Sequence, residues 1–169
     1  MTRVTLEIER LGQRGEGVAK LSGRTVFVPF ALAGERVLAE VEGERARFLA
    51  ILSPSPDRIA PVCEHYGVCG GCAVQTLAPS VYTAWKRGLV ATALANAGIS
   101  TEVAPVVDAH GAGRRRVVFH ARDGAVGFME ARAHEIVEIG ACPLLEAGLA
   151  HALEAAPALA QALKCTGKP

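Results

Sequence analysis

Near the start of the chain apolar and polar residues alternate: Val4, Leu6 and Ile8 are apolar, while Thr5, Glu7 and Glu9 are polar. A period of two predicts a half-buried strand, because successive side chains point to opposite faces. Gly12 to Gly17 carries three glycines and reads as a loop. Further short strands are expected at 24–28, 36–41 and 47–52, separated by turn residues such as Ser22-Gly23 and Gly34. Short strands at close spacing predict a small barrel or sandwich. Ser53-Pro54-Ser55-Pro56 breaks any regular element and marks an expected domain boundary.

The pattern then changes period. Val81, Trp85, Leu89 and Ala93 recur at four-residue steps, which predicts a helix over 79–96 with Gly98 as its C-terminal stop. Gly88 inside it costs about 1 kcal/mol relative to alanine, which points to close packing there. Downstream, 114–122 and 125–130 flank Asp123-Gly124, a strong two-residue hairpin signal. Another strand is expected at 135–139 and a helix at 143–155, interrupted or restarted by Pro157. The expected class is mainly β with helices (α+β). Its parts are a barrel at 1–54, a cysteine segment with a helix at 55–100, and a β-hairpin subdomain with a C-terminal helix at 101–169.

Half of the 169 residues are apolar, enough for a packed core. The net charge is +1, from 18 basic and 17 acidic side chains. That balance excludes a bulk polycation, so nucleic-acid binding would need a local basic patch. No apolar run reaches the roughly 18 to 20 residues of a membrane span, and Glu7 and Glu9 stand where a secretory signal would be apolar. The expectation is a soluble, cytoplasmic monomer with no membrane partner. In that reducing setting five cysteines read as ligands or thiols rather than disulfide partners.

Cys63, Cys69 and Cys72 form C-x5-C-x2-C, with Gly70-Gly71 in the tight end. The two glycines let backbone amides approach the sulfurs, which stabilises thiolate charge. A fourth ligand is needed, and Cys142, just after an expected strand and before Pro143, is the best candidate. Cys165 fits less well. Structural zinc sites commonly use two paired knuckles, whereas here there is one knuckle and two unequal partners. The arrangement leans toward an iron–sulfur cluster, with zinc as the alternative. Free buried thiols, an extra ligand in His65, and disulfide exchange at Cys69 and Cys72 are weaker readings.

The expected strand at 114–122 would carry Arg114, Arg116, Val118, His120 and Arg122 on one face, with Arg132, Lys86 and Arg87 as extensions. Arginine suits phosphate because its planar fork donates in pairs. A solvated sheet face is the ordinary reading of such a run.

Several of these segments together resemble a known family. Residues 62–75, with C-x5-C-G-G-C and Gln75, are similar to the cluster-binding segment of the RNA (uracil-5-)-methyltransferases. Gly15-Glu16-Gly17-Val18-Ala19, Val26-Phe27-Val28-Pro29 and Gly34-Glu35 resemble a TRAM domain, a small OB-like RNA-binding barrel. Gly113-Arg114-Arg115-Arg116, Val126-Gly127-Phe128, Ile136-Val137 and Cys142-Pro143-Leu144-Leu145 follow the same family order. Departures are Ala112-Gly113 for a usual Gly-Tyr, Met129 for an arginine, and Thr76 for a histidine.

The resemblance implies a four-iron–four-sulfur cluster on Cys63, Cys69, Cys72 and Cys142. It also implies ribosomal or transfer RNA contact through Arg114, Arg116, His120, Arg122, Arg132 and Lys86. S-adenosylmethionine is implied only for a domain expected beyond Pro169, with the catalytic cysteine and base, so no catalytic residue is assigned here. The function so implied is the RNA-recognition half of a uracil-C5 RNA methyltransferase. The alternatives are a standalone RNA-binding module with a structural metal, and a redox protein without RNA.

Overall fold

A computed structural model describes residues 2–108 and 113–163. The fold is mainly β with two α-helices. The contacts group the chain into two compact units, 1–60 with 73–107 and 61–72 with 108–169. This differs from the three consecutive segments expected from the sequence. The cysteine loop groups with the C-terminal part, and the helix that follows the loop groups with the barrel.

In the first unit, β1 (Thr2–Leu11), β2 (Gly17–Leu21), β3 (Arg24–Val28), β4 (Arg36–Glu42) and β5 (Arg45–Ser53) close a barrel in the order β1-β2-β3-β5-β4. The alternation in β1 points Leu6 and Ile8 inward, to pack with Ala19, Val26, Val28, Val37 and Ala39. Ser22 and Gly23 both take positive φ, 50° and 79°, which gives the β2–β3 hairpin the turn hand that matches strand twist.

The sequence reading did not assign β2. Gly17, Val18 and Ala19 are buried in succession, so no alternation marks the strand. Gly17 is needed for close approach: a Cβ there would come within 2.8 Å of the Ile8 side chain and 3.0 Å of the Ala31 backbone.

The proline-serine run after β5 does not end the unit, which continues to Ala60. Glu35, 1% exposed, explains why. Its carboxylate accepts from the backbone amides of Leu32 (2.8 Å) and Ser55 (3.3 Å) and from both Nε and Nη2 of Arg58. Arg58 Nη2 also donates to the Phe30 carbonyl at 2.7 Å. A buried carboxylate is stable only when so supplied with donors, and here the donors tie the segment after β5 to the barrel. Residues 57–59 then pair with 76–78 through Ile59 N–H to Thr76 O and Ala78 N–H to Asp57 O.

That pairing leads into α1 (Pro79–Asn96), which opens with proline at its first position, where a missing N–H is harmless. It ends as expected at Gly98, with φ 74°. Gly88 has nothing within 4 Å of its Cβ position, so the close packing expected there does not occur. α1 buries no residue fully. Among the described residues, no helix is long and apolar enough to cross a membrane.

In the second unit, β6 (His120–Arg122), β7 (Ala125–Met129) and β8 (Ile136–Val137) form an antiparallel sheet in that order. Asp123 and Gly124, at φ 52° and 89°, make the expected tight turn. The expected strand at 114–122 is corrected to three residues, and that at 135–139 to two. Pairing with β7 stops at His120↔Gly127, and farther upstream Arg114 pairs instead with Leu145.

The helix expected at 143–155 is replaced by a turn, a 3-10 turn at Ala147–Leu149 and α2 (Ala152–Ala162). Pro157 lies inside α2, leaving the Leu153 carbonyl without its helical donor.

Gly127 sits where β7 and β8 meet. A Cβ there would lie 2.0 Å from the Val137 carbonyl oxygen and 2.8 Å from its carbon. Backbone cannot swing aside as a side chain does. Gly127→Ala is therefore expected to lower stability by about 2–3 kcal/mol through overpacking and to speed amide exchange in β7 and β8. Urea unfolding and hydrogen exchange check both.

Candidate metal centre

The chain from Cys63 to Cys72 is a series of tight turns. Tyr66 N–H donates to Cys63 O (3.1 Å), Val68 N–H to His65 O (3.2 Å) and Cys69 N–H to His65 O (2.9 Å), with Gly67 at φ 95°. The loop then docks on the end of β7. Gly70 N–H donates to Met129 O at 2.9 Å, and Ala131 N–H to Val68 O at 2.7 Å. A Cβ on Gly70 would lie 3.1–3.3 Å from Met129 O, Glu130 O and Ala131 Cα. Glycine there permits the backbone contact that fixes Cys69.

Cys142 arrives by a separate route. Leu145 N–H closes a turn onto Cys142 O (3.1 Å), Arg114 N–H donates to Leu144 O (2.7 Å), and Glu146 N–H donates to Arg114 O (3.1 Å). Gly113, at φ +88°, makes this possible. A Cβ there would lie 2.9 Å from Glu146 N and 3.0 Å from Leu144 O.

Cys63, Cys69, Cys72 and Cys142 are all free thiols in the second unit. Cys69 is the most enclosed. Burial pushes its thiol pKa up, the Gly71 N–H donating to its sulfur at 3.4 Å pulls it down, and negative charge at Cys72, Cys63 and Cys142 pushes it up again. Cys69 thus feels all three other sulfurs. No group of three or more His, Cys, Asp or Glu among the described residues is arranged to hold a metal ion as it stands. His65 lies 3.7 Å from Glu64, and Cys165 lies outside the described residues.

The arginines are distributed differently from the expected row. Arg114 turns inward: its Nη2 donates to Gly71 O at 2.6 Å and meets the Cys72 sulfur at 3.6 Å. Arg122 pairs with Glu135 at 3.1 Å. Arg115, Arg116 and Arg132 are exposed, and His120 is half-buried in β6. Lys86 belongs to the first unit, its ammonium 5.4 Å from the Tyr82 ring centre. No single basic strand face forms, because 114–119 is not in the sheet. What sequence reasoning missed is the double engagement of Arg114. Its only signal was the glycine before the arginine run.

The barrel decides the first comparison: the TRAM domain family matches residues 2–50. Residues 2–50 thus match a TRAM domain, and the chain as a whole is similar to proteins named as RNA methyltransferases. A Caulobacter vibrioides protein named as an RNA methyltransferase is 44% identical over 163 residues, covering 92% of this chain and 39% of its own length. One from Rhizobium meliloti, also named as an RNA methyltransferase, is 35% identical over 179 residues, covering all of this chain and 43% of its own length. A Halomonas elongata protein named 23S rRNA (uracil(1939)-C(5))-methyltransferase RlmD is 38% identical over 156 residues, 85% of this chain and 32% of that protein. The TRAM-domain chain therefore spans less than half the length of these curated relatives.

Proposed function

We propose that this chain is the RNA-recognition and iron–sulfur half of an S-adenosylmethionine-dependent uracil-C5 RNA methyltransferase, acting in the cytoplasm on ribosomal RNA. The observation that carries the reading is that all four cysteines fall in one unit, where Arg114 links the Cys69–Cys72 turn to the Cys142 turn, in a chain whose relatives are named RNA methyltransferases. The ribosomal substrate rests on the relatives named for 23S rRNA.

The donor set fits the cluster. All four ligands are sulfur, one accepts a backbone amide and another faces a guanidinium; such hydrogen bonds are levers that stabilise cluster thiolates. A single tetrahedral zinc draws its four sulfurs to about 3.8 Å from one another, given a Zn–S bond of about 2.3 Å. Once bound, an iron–sulfur core would cross-link the 63–72 loop to the Cys142 segment.

The TRAM barrel and the exposed Arg115, Arg116 and Arg132 supply RNA contact, largely to phosphates. On this reading the S-adenosylmethionine site, nucleophile and base would lie outside the length this chain shares with those relatives. Chemistry at C5 of a uracil suits a target base taken out of its stack.

Binding of a ribosomal RNA fragment, measured across a salt series, tests the reading. Affinity should fall steeply with salt, and Arg116→Glu should weaken it while lowering the salt slope by about one. Unchanged affinity and slope would remove Arg116 from the interface. RNA binding without methyl transfer by the parent protein would replace the enzyme reading with an RNA-binding module that holds a structural metal.

A further inference from the structure

Arg114 bridges the two cysteine-bearing segments with its side chain. Its backbone is paired on both sides with the turn after Cys142, through Leu144 O and Glu146 N. Its guanidinium reaches the other segment, donating to Gly71 O at 2.6 Å and meeting Cys72 Sγ at 3.6 Å. Gly113 in turn sets the backbone that delivers Arg114, at φ +88° and at a position where a Cβ would collide with the backbone of 144–146.

We propose that Arg114 is a positioning residue of the four-cysteine centre rather than an RNA contact. It clamps the Cys69-Gly70-Gly71-Cys72 turn to the Cys142 turn and places a fixed positive charge beside the Cys72 sulfur. This rests on the metal-centre reading of the four cysteines.

The physical case has two parts. The guanidinium is permanently charged, and its Nη2, at the tip of a planar group whose shape an ammonium does not reproduce, reaches both the Gly71 carbonyl and the Cys72 sulfur. A cation beside a ligand sulfur favours the more negative, reduced form of a cluster and so raises its potential. Groups that hold ligands in place are worth about 10–100-fold in metal affinity.

The unaltered protein, Arg114→Lys and Arg114→Gln are purified anaerobically and compared by iron loss to a chelator and by redox titration. Arg114→Gln should lose iron at least about tenfold faster and show a more negative potential. Arg114→Lys should restore the potential, because the charge returns, while recovering only part of the retention. Equal iron loss and equal potential in all three would overturn the proposal.

Should the unaltered protein hold no iron and sulfide, the metal reading fails separately. Arg114 is then judged on the metal-free proteins by amide exchange at 69–72 and 142–146. Faster exchange in Arg114→Gln at both segments upholds the clamp; unchanged exchange overturns it. Unaltered exchange in β1–β5 serves as the folding control.

Discussion

Cys142→Ser is expected to abolish iron retention on anaerobic purification while leaving the barrel folded. Of the four thiols, Cys142 is the one delivered by a separate segment, so its loss would open the proposed centre to solvent without disturbing the turns around Cys63 and Cys69. A serine oxygen is a harder and far less acidic donor than a thiolate and does not replace it for iron. The barrel has its own core of Leu6, Ile8, Val26, Val28 and Val37, none of it drawn from the cysteine unit.

Iron and sulfide analysis reads the first effect: about four of each per chain in the unaltered protein if a four-iron cluster forms, and close to none in the variant. Hydrogen exchange in β1–β5 reads the second. A variant that keeps its full iron would strike Cys142 from the ligand set, and zinc in the unaltered protein would overturn the choice of metal.

The largest expected loss of stability comes from Arg58→Ala. Glu35 is completely enclosed at its side chain, and Arg58 is its charged partner, with 16% of its own side chain exposed. Removing one member of a buried pair leaves an uncompensated charge and costs about 3–5 kcal/mol. Replacing both, as in Glu35→Leu with Arg58→Met, should recover much of that loss, since no buried charge remains. Urea unfolding of the three proteins measures the difference. A double variant no more stable than Arg58→Ala would show that the hydrogen bonds to Leu32, Ser55 and Phe30, rather than the charges, hold this corner.

The same pair sets an acid limit. Burial alone would raise the Glu35 pKa, but the hydrogen bonds from Arg58, Leu32 and Ser55 and the Arg58 charge outweigh it, and the net shift is downward. The folded state therefore binds the proton less readily than the unfolded chain. The resulting stability is complete above the ordinary carboxylate range and is lost as pH falls through the depressed folded value. Stability measured from neutral pH into this acid range should fall more steeply in the unaltered protein than in Glu35→Gln. Parallel curves would locate the acid sensitivity elsewhere.

Local patterns were legible wherever burial followed the period of a single element. β1, β3 and α1 have the expected positions, and both two-residue turns carry the residues that tolerate positive φ. Legibility ended where neighbours outside the element decided burial. β2 is hidden because three consecutive residues are enclosed. The arginine run mimics a strand by alternation, yet its first residue pairs with a segment thirty residues downstream.

By itself the sequence determined that a small β-rich unit comes first, that a helix follows a glycine-rich cysteine loop, and that three thiols spaced C-x5-C-x2-C share one short turn-rich segment. Each of these is a short-range property, set by side-chain period, turn chemistry or residue spacing. Only the tertiary structure decided that the Cys142 segment, already named from the sequence, packs in one unit with the 63–72 loop, that Arg114 faces Cys72, and that Glu35 and Arg58 meet under the barrel's exit. Those pairings join residues far apart in the chain, and the energy that selects them is the hydrogen bonding and burial available only when both segments are in place.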